Sequence, residues 1–278
     1  MQFYQELETI LTTGEPSLKA DLFFRFMKHY KENRCSFESS HVPKEFTMPS
    51  YASICRVVSP RDVPKRSNLT TKQGQVHLLH AVAHIEYSAI DLALDICYRF
   101  PNMPKAFYDD WLEVAQEEIA HFQMIETLLE RLGTKYGDIP VHSALFEASQ
   151  KTNHSLLERL AVVPRYLEAN GLDATPAILQ KLQTLPESEI LNSIKSVLKR
   201  ILDEEVEHVR KGDYWFSYVC KKVKNPKEQT YKEIIGHYYP QGFSRIKQLN
   251  AKARLEAGFT CSELESLLQR KVCKNENI

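Results

Sequence analysis

Between Lys72 and Lys222 the chain carries four long stretches in which apolar residues recur every three to four positions, while glycine and proline gather in the segments between them. That spacing belongs to amphipathic helices, and four such helices bury their apolar faces most simply against one another. The stretches run over roughly 72–99, 105–132, 152–170 and 188–222, separated by Pro101, Pro104, Gly133, Gly137, Pro140, Gly171, Pro176 and Pro186. With nine glycines in 278 residues and no period-two alternation, strands are not expected. The predicted fold class is therefore all-α, a four-helix bundle within a single domain over 1–278. Residues 1–70 form N-terminal helices, split at Gly14-Glu15-Pro16, and an irregular wrap holding Pro43, Pro49, Pro60 and Pro64. Residues 71–222 form the bundle core, and 223–278 form C-terminal helices and a polar tail, Lys274 to Ile278.

Composition removes several classes of function. Lys and Arg number 36 against 36 Asp and Glu, so no net field draws the chain to nucleic acid or to an anionic membrane surface. Basic groups such as Arg61, Lys65 and Arg66, or Lys221, Lys222 and Lys224, read as solvated faces rather than an RNA-binding patch. No apolar run is long enough to span a membrane, and Met1 to Leu11 lacks the pattern of a secretion signal, so a cytoplasmic location is expected. The six cysteines form no C-x-x-C pair, which predicts reduced thiols rather than a disulfide framework or a rubredoxin-like electron-transfer module. Serine-nucleophile elbows, dinucleotide and phosphate-binding glycine loops and H-E-x-x-H zinc motifs are also absent from the sequence.

Rotating about 100° per residue along each helix sets the acids and histidines against the apolar arcs. In the first long helix the arc of Leu78, Val82, Ile85, Ala89, Leu92, Ala93 and Ile96 includes Glu86. In the second, Val114, Phe122, Ile125, Leu128, Leu129 and Leu132 enclose Glu118 and His121, whereas Glu113, Glu126 and Glu130 point away. In the third, Glu168 joins Leu156, Leu157, Leu160, Ala161, Pro164 and Leu167, and in the fourth Glu205 and His208 join Ile194, Val197, Leu198, Ile201, Leu202, Val209, Phe216 and Val219. An ionised carboxylate in an apolar core is costly unless something compensates it. One Glu from each of two helices and a Glu-x-x-His from each of the other two is the ligand pattern of dinuclear carboxylate bundles, in which four carboxylates balance two divalent cations. A third Glu-x-x-His, Glu38 to His41, lies in the irregular wrap and reads as accidental. Pro164, four residues before Glu168, predicts a kink that leaves Glu158 as the alternative ligand.

The remaining polar groups have structural readings. His77, His80 and His84 face away from Glu86 and are expected to pack against the N-terminal wrap or to be solvated; His142 and Asp138 stabilise a turn; Arg165 pairs with Glu158; His154 is a surface residue. Trp215 reads as core, and Tyr87 as rotated off the core.

Several segments in order also carry a resemblance: His80 to Glu86, Asp110-Trp111 followed by Glu118 to Phe122, Tyr136 to His142, Val163 to Asp173, and Asp203 to Val209. Together, over the region from Pro60 to Phe259, the chain resembles the ferritin-like domain-of-unknown-function family numbered 455. The resemblance implies the ferritin-like fold and places the superfamily's metal ligands on Glu86, Glu118, His121, Glu168, Glu205 and His208, the six that helical phase selects. It supplies no reaction. The expected function is a dinuclear metal protein holding two iron ions, or manganese or a mixed Fe/Mn pair, that acts as an oxygen-activating oxidoreductase or hydroxylase of unknown substrate and draws on an external electron donor. The alternatives are non-catalytic iron binding, oxidation or storage, and an enzyme akin to the non-haem di-iron tRNA hydroxylases, which the layout resembles.

Overall fold

Gly14 and Pro16 set the first helical boundary. In the computed structural model, which describes all residues except 39, 67, 243–248 and 274–278, α1 (Phe3–Thr12) stops short of Gly14 and α2 (Pro16–Lys31) begins with the proline in its first turn. An amide is dispensable at that position, and the Glu15 carboxylate accepts from the amides of Ser17 and Leu18. Packing demands the glycine: a Cβ at residue 14 would lie 2.0 Å from Ser53 Oγ and 2.5 Å from the Ser50 carbonyl oxygen. The chain is all-α, as predicted, and it divides into two compact units, residues 1–150 and 151–278. No helix among the described residues is long and apolar enough to cross a membrane. The tail from Lys274 to Ile278 lies outside the described residues.

In the first unit α3 (Lys72–Arg99), capped by the Thr71 side chain on the Gly74 amide, packs along α4 (Lys105–Arg131). The short link over 100–104 turns the chain back, with Asn102 in the left-handed region at φ 64°. Helix α1 packs on α3, and α2 on α1 and α4. With α4 along it and α1 packed on it, α3 is buried over most of its residues. Tyr87, expected to be rotated off the core, is enclosed, its hydroxyl donating to the Gly14 carbonyl at 2.7 Å. Ile85, expected in the core arc, is exposed instead. The buried Lys19 ammonium pairs with Asp91, and Tyr30 donates to Asp109 at 2.8 Å, pinning α2 to both long helices. The described residues of the 32–71 stretch wrap irregularly, as predicted, with one short 3-10 turn among them (Ser50–Ser53), and Val57 forms an isolated parallel bridge with Val141. A helix the sequence did not announce, α5 (Ala144–Lys151), follows that bridge.

In the second unit the third long stretch is one unbroken run of three parts. Helix α6 (Leu156–Val162), capped by Ser155 on the Glu158 amide, leads into a π-helical turn (Val163–Glu168), which passes directly into α7 (Ala169–Gln183). Pro164 thus produces a wider turn where a kink was expected, since a π turn absorbs the proline's missing amide and its crowding of the preceding carbonyl. Gly171 and Pro176, expected as breakers, lie inside α7, which is held to helix by packing on α8 (Glu189–Lys222). Ser188 caps α8 on the Leu191 amide. Among the described residues three short helices follow: α9 (Lys227–Tyr238) against α6 and α8, α10 (Ala251–Glu256) against α7 and α8, and α11 (Cys261–Leu268), opened by a reciprocal Thr260–Glu263 capping box.

Arg165, in the π turn, organises this unit. Its buried guanidinium donates from Nε to Asp213 Oδ1 at 2.7 Å and from Nη2 to Glu263 at 2.6 Å, and lies over the rings of Tyr231 (4.0 Å) and Phe259 (4.4 Å). The expected Arg165–Glu158 pair does not form; Glu158 accepts from the Tyr238 hydroxyl and pairs with His154 at 3.2 Å. Two cysteines also depart from expectation, because the chain after α11 turns back and joins Cys273 to Cys261 in a disulfide; Cys35, Cys55, Cys97 and Cys220 are free.

Candidate metal centre

Helix α4 carries Glu118 and His121 one turn apart on its buried face, and α3 brings Glu86 to the same point. All three side chains are enclosed, with exposures of 3% for Glu86 and 0% for Glu118 and His121. His121 Nδ1 lies 3.1 Å from Glu86 Oε2 and 3.4 Å from Glu118 Oε2, and one ligand atom from each residue falls within 4.8 Å of the others. Burial opposes charge on the His121 ring, but the two carboxylates outweigh it and raise its pKa to about 11. In the absence of a cation the imidazolium therefore serves as the counter-charge. Two carboxylate oxygens and an imidazole nitrogen are hard-to-borderline donors of the kind that hold divalent iron or manganese, so this buried group can hold a metal ion.

In the second unit α8 repeats the spacing with Glu205 and His208. His208 is fully buried, with Nδ1 at 3.7 Å from Glu205 Oε1. Glu205 Oε2 is sealed from solvent and has no hydrogen-bond partner among the described residues, a costly state for a carboxylate oxygen and one that a cation relieves. Glu168 closes the π turn at the start of α7, and its Oε2 is also sealed from solvent. Each unit thus gathers its own share of the predicted residues: Glu86, Glu118 and His121 in the first, Glu205 and His208 in the second. Glu158, the alternative to Glu168, is engaged by Tyr238 and His154.

His80 and His84, expected to pack against the N-terminal wrap or to be solvated, hold mainly the segment after α4, whereas Asp138 closes the turn expected of it. His84 links Tyr136, through Nδ1 at 2.9 Å, to the His142 carbonyl, through Nε2 at 2.8 Å; His80 Nε2 accepts from the amides of Gly137 and Ile139. These two histidines thereby clasp the 136–142 segment to α3, and burial lowers the pKa of each to about 4. Asp138 Oδ2 accepts from Thr134 and from the Lys135 amide, closing the turn after α4. Sequence reasoning missed Asp213 and Glu263 as partners of Arg165. Helical phase hints at Asp213, but Glu263 lies 98 positions away and gives no local signal.

Comparison with known proteins adds kinship without chemistry. The chain is 36% identical over 275 residues to an uncharacterized protein of Haemophilus influenzae, an alignment covering 95% of this chain and 93% of the relative. No solved structure matches it. Residues 12–265, which run from before α2 into α11 and take in every candidate ligand, match a family described as a protein of unknown function, so the chain belongs to the DUF455 family.

Proposed function

We propose that this is a ferritin-like dinuclear carboxylate protein in which Glu86, Glu118, His121, Glu168, Glu205 and His208 ligate two iron ions, with manganese or a mixed pair as the alternatives, and that it is an oxidoreductase or hydroxylase using oxygen on an organic substrate. The observation that carries the reading is the buried Glu118–His121 pair meeting Glu86 on the neighbouring helix, a constellation whose spacing α8 repeats at Glu205 and His208. When bound, such a metal pair supplies redox equivalents and open coordination positions. The chain supplies the rest. Four carboxylates offset about four positive charges, two imidazoles complete the donor set, and the apolar side chains around Glu118 and His121 keep bulk water away. Because no C-x-x-C module is present in the sequence, repeated turnover draws electrons from a separate donor.

Elemental analysis of protein purified from its native host, or reconstituted anaerobically with ferrous iron, tests the reading. Two metal ions per chain are expected, with an optical change on exposure to oxygen, and Glu118→Ala abolishes paired binding. A metal-free chain, or a single zinc, would remove the proposal.

A further inference from the structure

Four histidines outside the proposed metal ligands converge on one cavity of the first unit. His77, His80, His84 and His142 line a space of about 270 Å³, together with Lys65 and Arg66. The three on α3 are rotated by roughly 180° to 240° from Glu86, so the cavity opens on the far side of that helix. Its remaining walls are apolar: prolines and valines of the 60–64 and 140–141 segments, Ile139, and the exposed Ile85. No Asp or Glu lines it. Asp138, the acid closest in its effect on His80, is turned into its own loop by Thr134 and Lys135, and Glu147, which acts on His142, accepts from Ser143.

The polar groups are set for donation. His142 Nδ1 accepts from the Ala144 amide, which leaves its ring proton on Nε2. Lys65 and Arg66 are both exposed at the edge of this cavity and form no ion pair among the described residues. An arginine and a neighbouring lysine with no counter-charge, at the mouth of a cavity walled by imidazoles, is an electrostatically incomplete arrangement that an anion completes.

We propose that this cavity binds the phosphate group of a small phosphorylated molecule, held by Arg66 and Lys65 at the mouth and by His142 on the wall. Two cations match the charge of a phosphate monoester better than that of a single carboxylate, and the guanidinium fork suits its oxygens. A volume near 270 Å³ exceeds what phosphate needs and leaves room for a short organic body against Ile85 and the proline walls. A nucleic-acid strand needs a continuous basic groove with stacking rings, whereas here the charge is confined to one small cavity.

Histidine-labelled full-length protein titrated with inorganic phosphate, and separately with glycerol 3-phosphate, tests this by NMR of the ring nitrogens. Saturable shifts of the His142 and His77 resonances are expected, with tighter binding of the organic phosphate, and Lys65→Gln with Arg66→Gln weakens binding about tenfold or more without changing the melting temperature or metal content. Since both substituted side chains are exposed, the fold is retained. The inference is overturned if neither probe gives saturable shifts up to about 20 mM, if the double variant binds as the parent does, or if a single-stranded RNA binds in a manner that glycerol 3-phosphate cannot displace.

Discussion

Gly212 of α8 lies against Pro164 of the π turn, so closely that a Cβ on the glycine would sit 2.5 Å from the proline Cβ. One turn after His208, α8 is thus bare of a side chain at the point where the turn leading to Glu168 rests on it. Gly212→Ala forces the two elements apart and is expected to cost about 1–3 kcal/mol. Gly171→Ala is the control, because a Cβ there meets nothing within 4 Å and alanine is the better helix former. Thermal melting of the two variants should show opposite signs, and a Gly212→Ala protein as stable as the parent would refute the packing argument.

Arg165 is expected to tolerate no replacement well. Removing it leaves Glu263 buried without its cation, while Asp213 keeps Lys227 at 2.7 Å, a loss of about 3 kcal/mol by urea denaturation. Arg165→Lys should rescue little, since an ammonium cannot span both carboxylates while lying flat against Tyr231 and Phe259. Full stability in the lysine variant would show that the fork geometry is dispensable.

Metal uptake should release protons. With the His121 pKa raised to about 11, the ring is protonated at neutral pH in the metal-free protein, and a cation can be ligated only after that proton leaves. Anaerobic addition of ferrous or manganous ion in weak buffer is therefore expected to liberate about one proton attributable to His121, and affinity should climb as pH rises. His121→Gln should lack that proton; equal release from variant and parent would exclude the ring as a ligand.

His80 gives the stability profile an acidic shoulder. Its folded-state pKa of about 4, pushed down by burial from 6.5, means that between these values the unfolded chain takes up a proton the folded chain refuses. Stability contributed by the neutral ring is complete above pH 6.5 and declines as pH falls toward 4, by at most about 3 kcal/mol. His80→Gln can retain an acceptor for the Gly137 amide and should flatten that limb in denaturation series run from pH 7 to pH 4.

The parts of this architecture that sequence discloses are those governed by neighbours three or four residues away. Glu118 and His121 share a face because of their spacing, and Glu86 is inward because the apolar arc on its own helix says so. Gly14 and Pro16 mark their boundary through backbone chemistry alone. The misplaced residues depend on partners far along the chain. Ile85 belongs to the arc by phase, yet it is exposed; Tyr87 lies off the arc, yet the Gly14 carbonyl and the rings of Tyr51, Phe122 and Tyr136 enclose it. Arg165 is matched by a residue of α11, and Cys261 by a segment that doubles back after it. The π turn escapes periodic analysis for a sharper reason. A turn of that width resets the angular count, so Glu158 and Glu168 cannot be related by a constant 100° step.

The enclosure of α3 has a kinetic side. Of its 28 residues 22 are buried, and it is covered on one flank by α4 and on another by α1. Its amides can meet deuterated solvent only after those neighbours have left, whereas α1 and α2 can fray singly from the periphery. Hydrogen exchange along this unit should therefore proceed from the outside inward, with the backbone around Glu86 among the last to open and the first to be locked again on refolding.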